Sequence, residues 1–187
     1  YQYGMVTDHI VSNALFADGS AAIVLESAPV NSLLDELSEG STNDDFFLGS
    51  VDATGSFLVP ESRDAMTWCI GDNGYQMTLS ARVPHLIEQH LTTYLGDFLE
   101  QNGESINSIG GWAVHPGGSR ILSAVENALS LPLDALSTSK SVLSDHGNMS
   151  SATRLFIVER FAAKNQPKPW LMLGFGPGLE IEVSLIR

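Results

Sequence analysis

IGGWAVHPGGSRILSAVENALS, residues 109–130, holds the reading that decides the fold. The apolar run through 109–116 is too short for an ordinary helix, and it ends in Pro and Gly, as a buried strand does. SRILSAVENALS then spaces its apolar residues as a helix does, so a strand feeds a loop and the loop feeds a helix. Toward the C-terminus the pattern repeats more loosely. A helix is expected over 133–144, then a loop DHGNMSS, then a helix over 152–163 that begins among small hydroxyl residues. Two strands, over 169–174 and 179–186, flank the turn GFGPG. Toward the N-terminus, Leu86, Ile87, Leu91, Tyr94, Leu95 and Phe98 recur at helical spacing from residue 81 until QNG stops them at 101–103. Before that, alternation and β-branched residues predict strands near 20–26, 46–54, 65–70 and 75–80, with 28–45 a polar, acidic surface loop. Alternating strands and helices behind a strand-rich start imply the α/β class, with a mixed β-sheet packed with helices.

Composition narrows the function classes. A chain of 187 residues is one ordinary domain, able to bury roughly 70% of the surface its unfolded form exposes. A net charge of −13 argues against nucleic acid as a partner, because too few cations are present to displace counterions from a phosphate backbone. Residues 1–64 carry Arg63 as their one Lys or Arg, so the acidic bias belongs to the first third. No apolar run reaches the roughly 18 residues that span a bilayer, so no membrane partner is expected. The single Cys69 excludes an internal disulfide and suits a reducing, cytoplasmic setting. Tyr1 is not an initiator Met and no signal peptide follows it, so the start reads as a cut edge.

Two loops carry the candidate chemistry, HPGGS at 115–119 and HGNMSS at 146–151. Each sets polar groups beside Gly where a buried element meets a helix, a place where backbone amides are free to bind anions or oxyanions. His115 follows WAV directly, so a rigid strand end holds its ring; on the residues alone it is a structural histidine or a site residue. Asn148, between Gly147 and Met149, reads as an N-cap or turn residue or as a site residue. Cys69 lies in a strand-rich segment and reads as a buried structural thiol. The five His are scattered without the spacing of a metal site.

Four stretches, LFADGSAA at 15–22, HPGGSRIL at 115–122, VLSDHGNMSSA at 142–152 and GFGPGLEIEVSLIR at 174–187, resemble in order and separation the C-terminal half of the type III polyketide synthases, the chalcone and stilbene synthase family. The ketoacyl-carrier-protein synthase III enzymes are a related alternative, but there the His is typically followed by Gln-Ala-Asn and the Asn by Thr-Ser. Here Pro116, Gly117 and Gly118 follow His115, and Met149 and Ser150 follow Asn148. A non-catalytic thiolase-fold assembly module is the non-enzyme alternative.

The resemblance implies a thiolase-like half-domain over 1–187 whose N-terminal partner half carries a nucleophilic Cys. It also implies an acyltransferase that extends an acyl-CoA starter with malonyl-CoA by decarboxylative Claisen condensation, with both thioesters as substrates and no separate cofactor. His115 and Asn148 match the family's catalytic His and Asn. Phe16 matches the phenylalanine between tunnel and cavity, Trp68 and Met77 fall at cavity-lining positions, and Gly174, Phe175, Gly176, Pro177 and Gly178 form the turn near which cyclisation or release takes place. Where plant chalcone synthases have Gly, Trp68 would fill part of the space. Ala17 and His146 depart from the family's usual Gly and Tyr, and His146 reads as a loop-surface residue. Arg120 is the one nearby cation for CoA, though it reads first as an exposed helix residue. The isolated chain is expected to be inactive and to form a homodimer through the face its missing half would cover.

Overall fold

A computed structural model describes residues 14–27, 48–72 and 74–187. Its centre is a four-stranded sheet in the order β1 (Val51–Leu58), β6 (Glu180–Ile186), β5 (Trp170–Gly176), β4 (Gly111–Val114). β4 and β5 run parallel while β5–β6 and β6–β1 are antiparallel, so the sheet is mixed as expected. β2 (Met66–Gly71) and β3 (Gly74–Leu79) form a separate antiparallel hairpin. Among residues 48–187 the helices described are α1 (Val83–Gln101), α2 (Ser119–Leu129), α3 (Ser137–His146) and α4 (Ala152–Ala163), with a 3₁₀ turn at Ile106–Ser108. The parallel pairing of β4 with β5 forces a long crossover, and α2, α3 and α4 supply it.

Both faces of the sheet are covered, and strand alternation divides the core in two. Trp112 and Val114 of β4, with Leu171 and Leu173 of β5, point into the larger core, where α1 contributes Ile87, Leu91 and Leu95, and α2 contributes Leu122 and Val125. Ala113 and Trp170 point the other way, against Val142 of α3 and Ile157, Val158 and Phe161 of α4. α1 buries Val83, Ile87, Leu91, Leu95, Phe98 and Leu99, the stripe a 3.6-residue period dictates, and Asn102 closes the helix by donating its side-chain N–H to the Phe98 carbonyl.

Several boundaries differ from the sequence reading. β1 spans 51–58 rather than 46–54. Gly55 is strand interior, where an added Cβ would lie 2.7 Å from the Tyr94 hydroxyl, so this glycine marks a close helix approach and not a turn. Residues 20–26 form no strand; they are exposed and pair with nothing among the described residues. Turns occupy 133–136, with Ala135 and Ser137 N–H bonded to the Pro132 and Asp134 carbonyls, so α3 starts late and runs through His146. The loop expected over 28–45 lies outside the described residues.

Candidate functional site

His115 follows the last residue of β4, and its backbone N–H extends the ladder to the Leu173 carbonyl at 2.8 Å. Alternation puts it on the Ala113 side of the sheet, the side packed by α3 and α4. The chain then breaks at Gly117 and Gly118; Gly118, at φ 152° and ψ 164°, occupies a region only glycine adopts easily and caps α2. The His115 ring is largely buried, and its Nδ1 has no hydrogen-bond partner among the described residues. Burial, and secondarily the charge of Arg154, push its pKa down to about 4. The imidazole is therefore neutral near pH 7, with one N–H to donate and one lone pair to accept.

Asn148 is buried between α3 and α4 and is held by its backbone on both sides. Its N–H donates to the Leu15 carbonyl at 2.8 Å, and its carbonyl accepts from Ala17 N–H at 2.9 Å, a parallel bridge centred on Phe16. The side-chain Oδ1 accepts from Ser150 N–H at 2.9 Å, a local turn that orients the amide and leaves its NH₂ uncommitted among the described residues. Met149 N–H donates to the Thr153 hydroxyl at 2.9 Å, tying the loop to the first turn of α4.

Segment 15–19 joins the two loops. Leu15 accepts from Asn148, and its Cδ1 sits 3.7 Å from where a Cβ on Gly118 would stand. Gly147 lies so close to Ala17, and Gly19 to Met149, that a Cβ on either would come within 3.0 Å of the other chain. Phe16, at 38% exposure, is a surface residue on this segment rather than a core phenylalanine.

The GFGPG stretch starts beside His115 and ends at the hairpin. Gly174 directly follows Leu173, the partner of His115, whereas Gly178 donates to the Met66 carbonyl at 3.2 Å and accepts from the buried Ser62 hydroxyl at 2.7 Å. Phe175 packs on the larger core and Pro177 is exposed. In the hairpin Trp68 faces Met77 directly, so both share one face. That face is buried at its base, where Met66 and Leu79 meet the larger core, and emerges toward the tip; Met77 is buried, while Trp68 is 48% exposed.

Cys69 corrects the sequence reading. It is exposed, because it lies on the opposite face of the hairpin with Gln76, and a two-stranded hairpin has only one face to bury. His146 is exposed but helical rather than in a loop; its Nε2 lies 3.0 Å from an Arg160 nitrogen, and its ring stands edge-on to Phe156. Arg120 is exposed on α2, in a groove of about 360 Å³ that also includes His85 and Glu88 and not His115 or Asn148.

Sequence reasoning missed Arg154. It stands three, four and seven residues before Ile157, Val158 and Phe161, so it continues the buried stripe of α4 as a cation, a pattern visible in SSATRLFIVERF. Its guanidinium lies against Gly174, where a Cβ would come within 2.6 Å of Nη1.

A family model described as the C-terminal domain of chalcone and stilbene synthases matches residues 51–187. The chain belongs to this family. Residues 51–187 are the C-terminal domain of the type III polyketide synthase family, with the thiolase-like fold. Among curated family relatives, 1,3,6,8-tetrahydroxynaphthalene synthase of Streptomyces peucetius subsp. caesius is 35% identical over 182 residues, covering 96% of this chain and 45% of that protein. Polyketide synthase 37 of Dictyostelium discoideum is 30% identical over 187 residues, covering 95% of this chain and 6% of that protein. The chain thus spans less than half the length of these relatives. The crystal structure of PKS-I from the brown alga Ectocarpus siliculosus superposes with a TM-score of 0.71 at 26% identity, covering 74% of this chain and 39% of that one. No helix among the described residues is long and apolar enough to cross a membrane.

Proposed function

We propose that the chain contributes the His–Asn half of a Cys-His-Asn condensing site, completed by an N-terminal half that carries the nucleophile. The supporting observation is segment 15–19, which is hydrogen-bonded to Asn148 on both sides of Phe16 while the Leu15 side chain lies beside Gly118 in the loop that follows His115. In the complete enzyme an acyl group passes from CoA to the cysteine sulfur. Malonyl-CoA then loses its carboxylate: the C–C bond breaks, CO₂ leaves, and the electron pair enters the thioester as an enolate. The enolate carbon attacks the acyl thioester, and the cysteine thiolate departs.

Charge develops on the enolate oxygen, and two neutral donors, the His115 N–H and the Asn148 NH₂, suit it without a carboxylate's repulsion. A neutral His115 fits that role at physiological pH. Cys69 lies on the face of the hairpin opposite Trp68 and Met77 and is not assigned a part in this site. Phe16, Trp68, Met77 and the turn Gly174–Gly178 line the path of the growing chain, acyl-CoA and malonyl-CoA are the substrates, and a second copy of the enzyme is the expected partner.

The test is product formation by the complete enzyme, followed by mass spectrometry. Replacing His115 or Asn148 by Ala should each lower kcat by about 10²–10³, the usual effect of removing one oxyanion donor. The 187-residue chain alone should show no malonyl-CoA turnover. Wild-type kcat in His115→Ala would refute the assignment, as would turnover by the isolated chain.

A further inference from the structure

We infer that Arg154 is the carboxylate-recognising residue of this site, taking the free carboxylate of a malonyl-type thioester; the inference rests on the condensing-site reading above. The geometry that carries it starts with α4. Arg154 lies in its first turn, at the head of the stripe that Ile157, Val158 and Phe161 bury against the sheet. Its side chain reaches the edge of β5 at Gly174, the residue after the one that pairs with His115. Glycine there is what admits it, since a methyl group would come within 2.6 Å of Nη1 and 3.1 Å of Cζ, and the guanidinium would have to leave.

A largely buried cation calls for an anion, yet Arg154 has no hydrogen bond or ion pair among the described residues of a chain whose net charge is −13. Glu182, opposite Gly174 across β5 and β6, is the carboxylate whose field it feels, but Glu182 Oε1 takes the Ser56 hydroxyl at 2.7 Å. The guanidinium fork is therefore open to a planar, bidentate acceptor, and a carboxylate is the group that matches it. In the proposed reaction the extender is the substrate that must bring a free carboxylate.

The chemistry sets what such a contact can do. The carboxylate becomes neutral CO₂ as the C–C bond breaks, so an ion pair with Arg154 is made in the ground state and surrendered in the transition state. It selects and holds the extender without speeding the cleavage. Arg154 thus holds the extender in the ground state, and its loss raises KM without lowering kcat.

Calorimetric titration of the 187-residue chain with malonyl-pantetheine and with its uncharged methyl ester tests this directly. The unaltered chain should prefer the acid by about tenfold, the worth of one charge-assisted pair; Arg154→Gln should bind acid and ester alike, and Arg154→Lys should keep part of the preference. In the complete enzyme Arg154→Gln should raise KM for malonyl-CoA without lowering kcat. Equal binding of acid and ester by the unaltered chain, or an undiminished preference in Arg154→Gln, overturns the inference and leaves the condensing-site reading standing. Binding of neither thioester by the unaltered chain also overturns the inference, while the condensing-site reading is judged separately by His115→Ala in the complete enzyme.

Discussion

Exchanging His115 for Gln should flatten the acid side of the stability curve. Folding carries His115 from its ordinary 6.5 to about 4, chiefly through burial and then through Arg154. Between those limits the unfolded chain holds the extra proton, so stability rises with pH across the window and is lost as pH falls through it. A drop from 6.5 to about 4 is worth about 3 kcal/mol in full, of which about 2 kcal/mol is already lost at pH 5 relative to pH 8. The carboxylates held low lie outside this range: Asp52 by a hydrogen bond from Ser50 and then Arg187, Glu104 by Ser108 and then Arg187, and Asp145 by Arg160. Their contributions are present above the ordinary carboxylate pKa and are lost only as pH falls further. Urea unfolding of both proteins at half-unit steps from pH 5 to 8 is the assay; the other histidines are common to both and cancel in the difference. The difference in ΔG should narrow by about 2 kcal/mol from pH 8 to pH 5. Parallel curves would show that the ring is protonated freely, and the neutral-donor role would lose its basis.

In the complete enzyme, Trp68→Gly should shift products toward longer polyketides by mass spectrometry, with little loss of stability because the indole is half-exposed; an unchanged product distribution in a folded variant refutes the wall assignment. Gly110→Ala should cost about 1–3 kcal/mol, since its Cβ would stand 2.1 Å from the Pro167 carbonyl oxygen, backbone that a side-chain rotation cannot move aside. A neutral effect on chemical denaturation would mean that the turn before β5 yields. Cys69, exposed on the hairpin, should react with a thiol reagent in the native chain as fast as in the denatured one at equal pH; strong native-state protection would contradict its placement.

How much of this was readable in sequence depended on whether the signal was local. α4 occupies 152–163 as expected, and β4, α1 and α2 came within a few residues, because a helical stripe or a short apolar run bounded by glycines is decided by neighbouring residues. Strands whose existence needs a partner fared less well: SAAIVLE is a short apolar run with β-branched residues, but such a run reports which side chains are apolar and not whether a second strand lies alongside. Cys69 failed for the same reason, since the hairpin's pairing decides which face is wet. Of the candidate site, the HPGGS and HGNMSS loops could be picked out because glycine beside polar residues at the end of an element is a local signal, whereas the backbone bridge between 15–17 and Asn148 joins segments far apart in sequence and has no such signal. Arg154 was not legible because a cation at the head of an apolar helical stripe ordinarily lays its stem along the core with its head in water, and only the fold brings it against Gly174.

The parallel bridge between Phe16 and Asn148 also has a consequence in time. At about 5–20 residues per second, the ribosome adds the roughly 130 residues between the two in about ten seconds. Throughout that interval the backbone groups of Leu15 and Ala17 lack the partner they have in the finished fold, and Ile23, Val24 and Leu25, exposed even then, follow close behind them. The nascent chain therefore carries unpaired backbone beside an apolar segment throughout that interval, a natural binding site for a ribosome-associated chaperone and a stretch open to mispairing with a neighbouring chain on the same message.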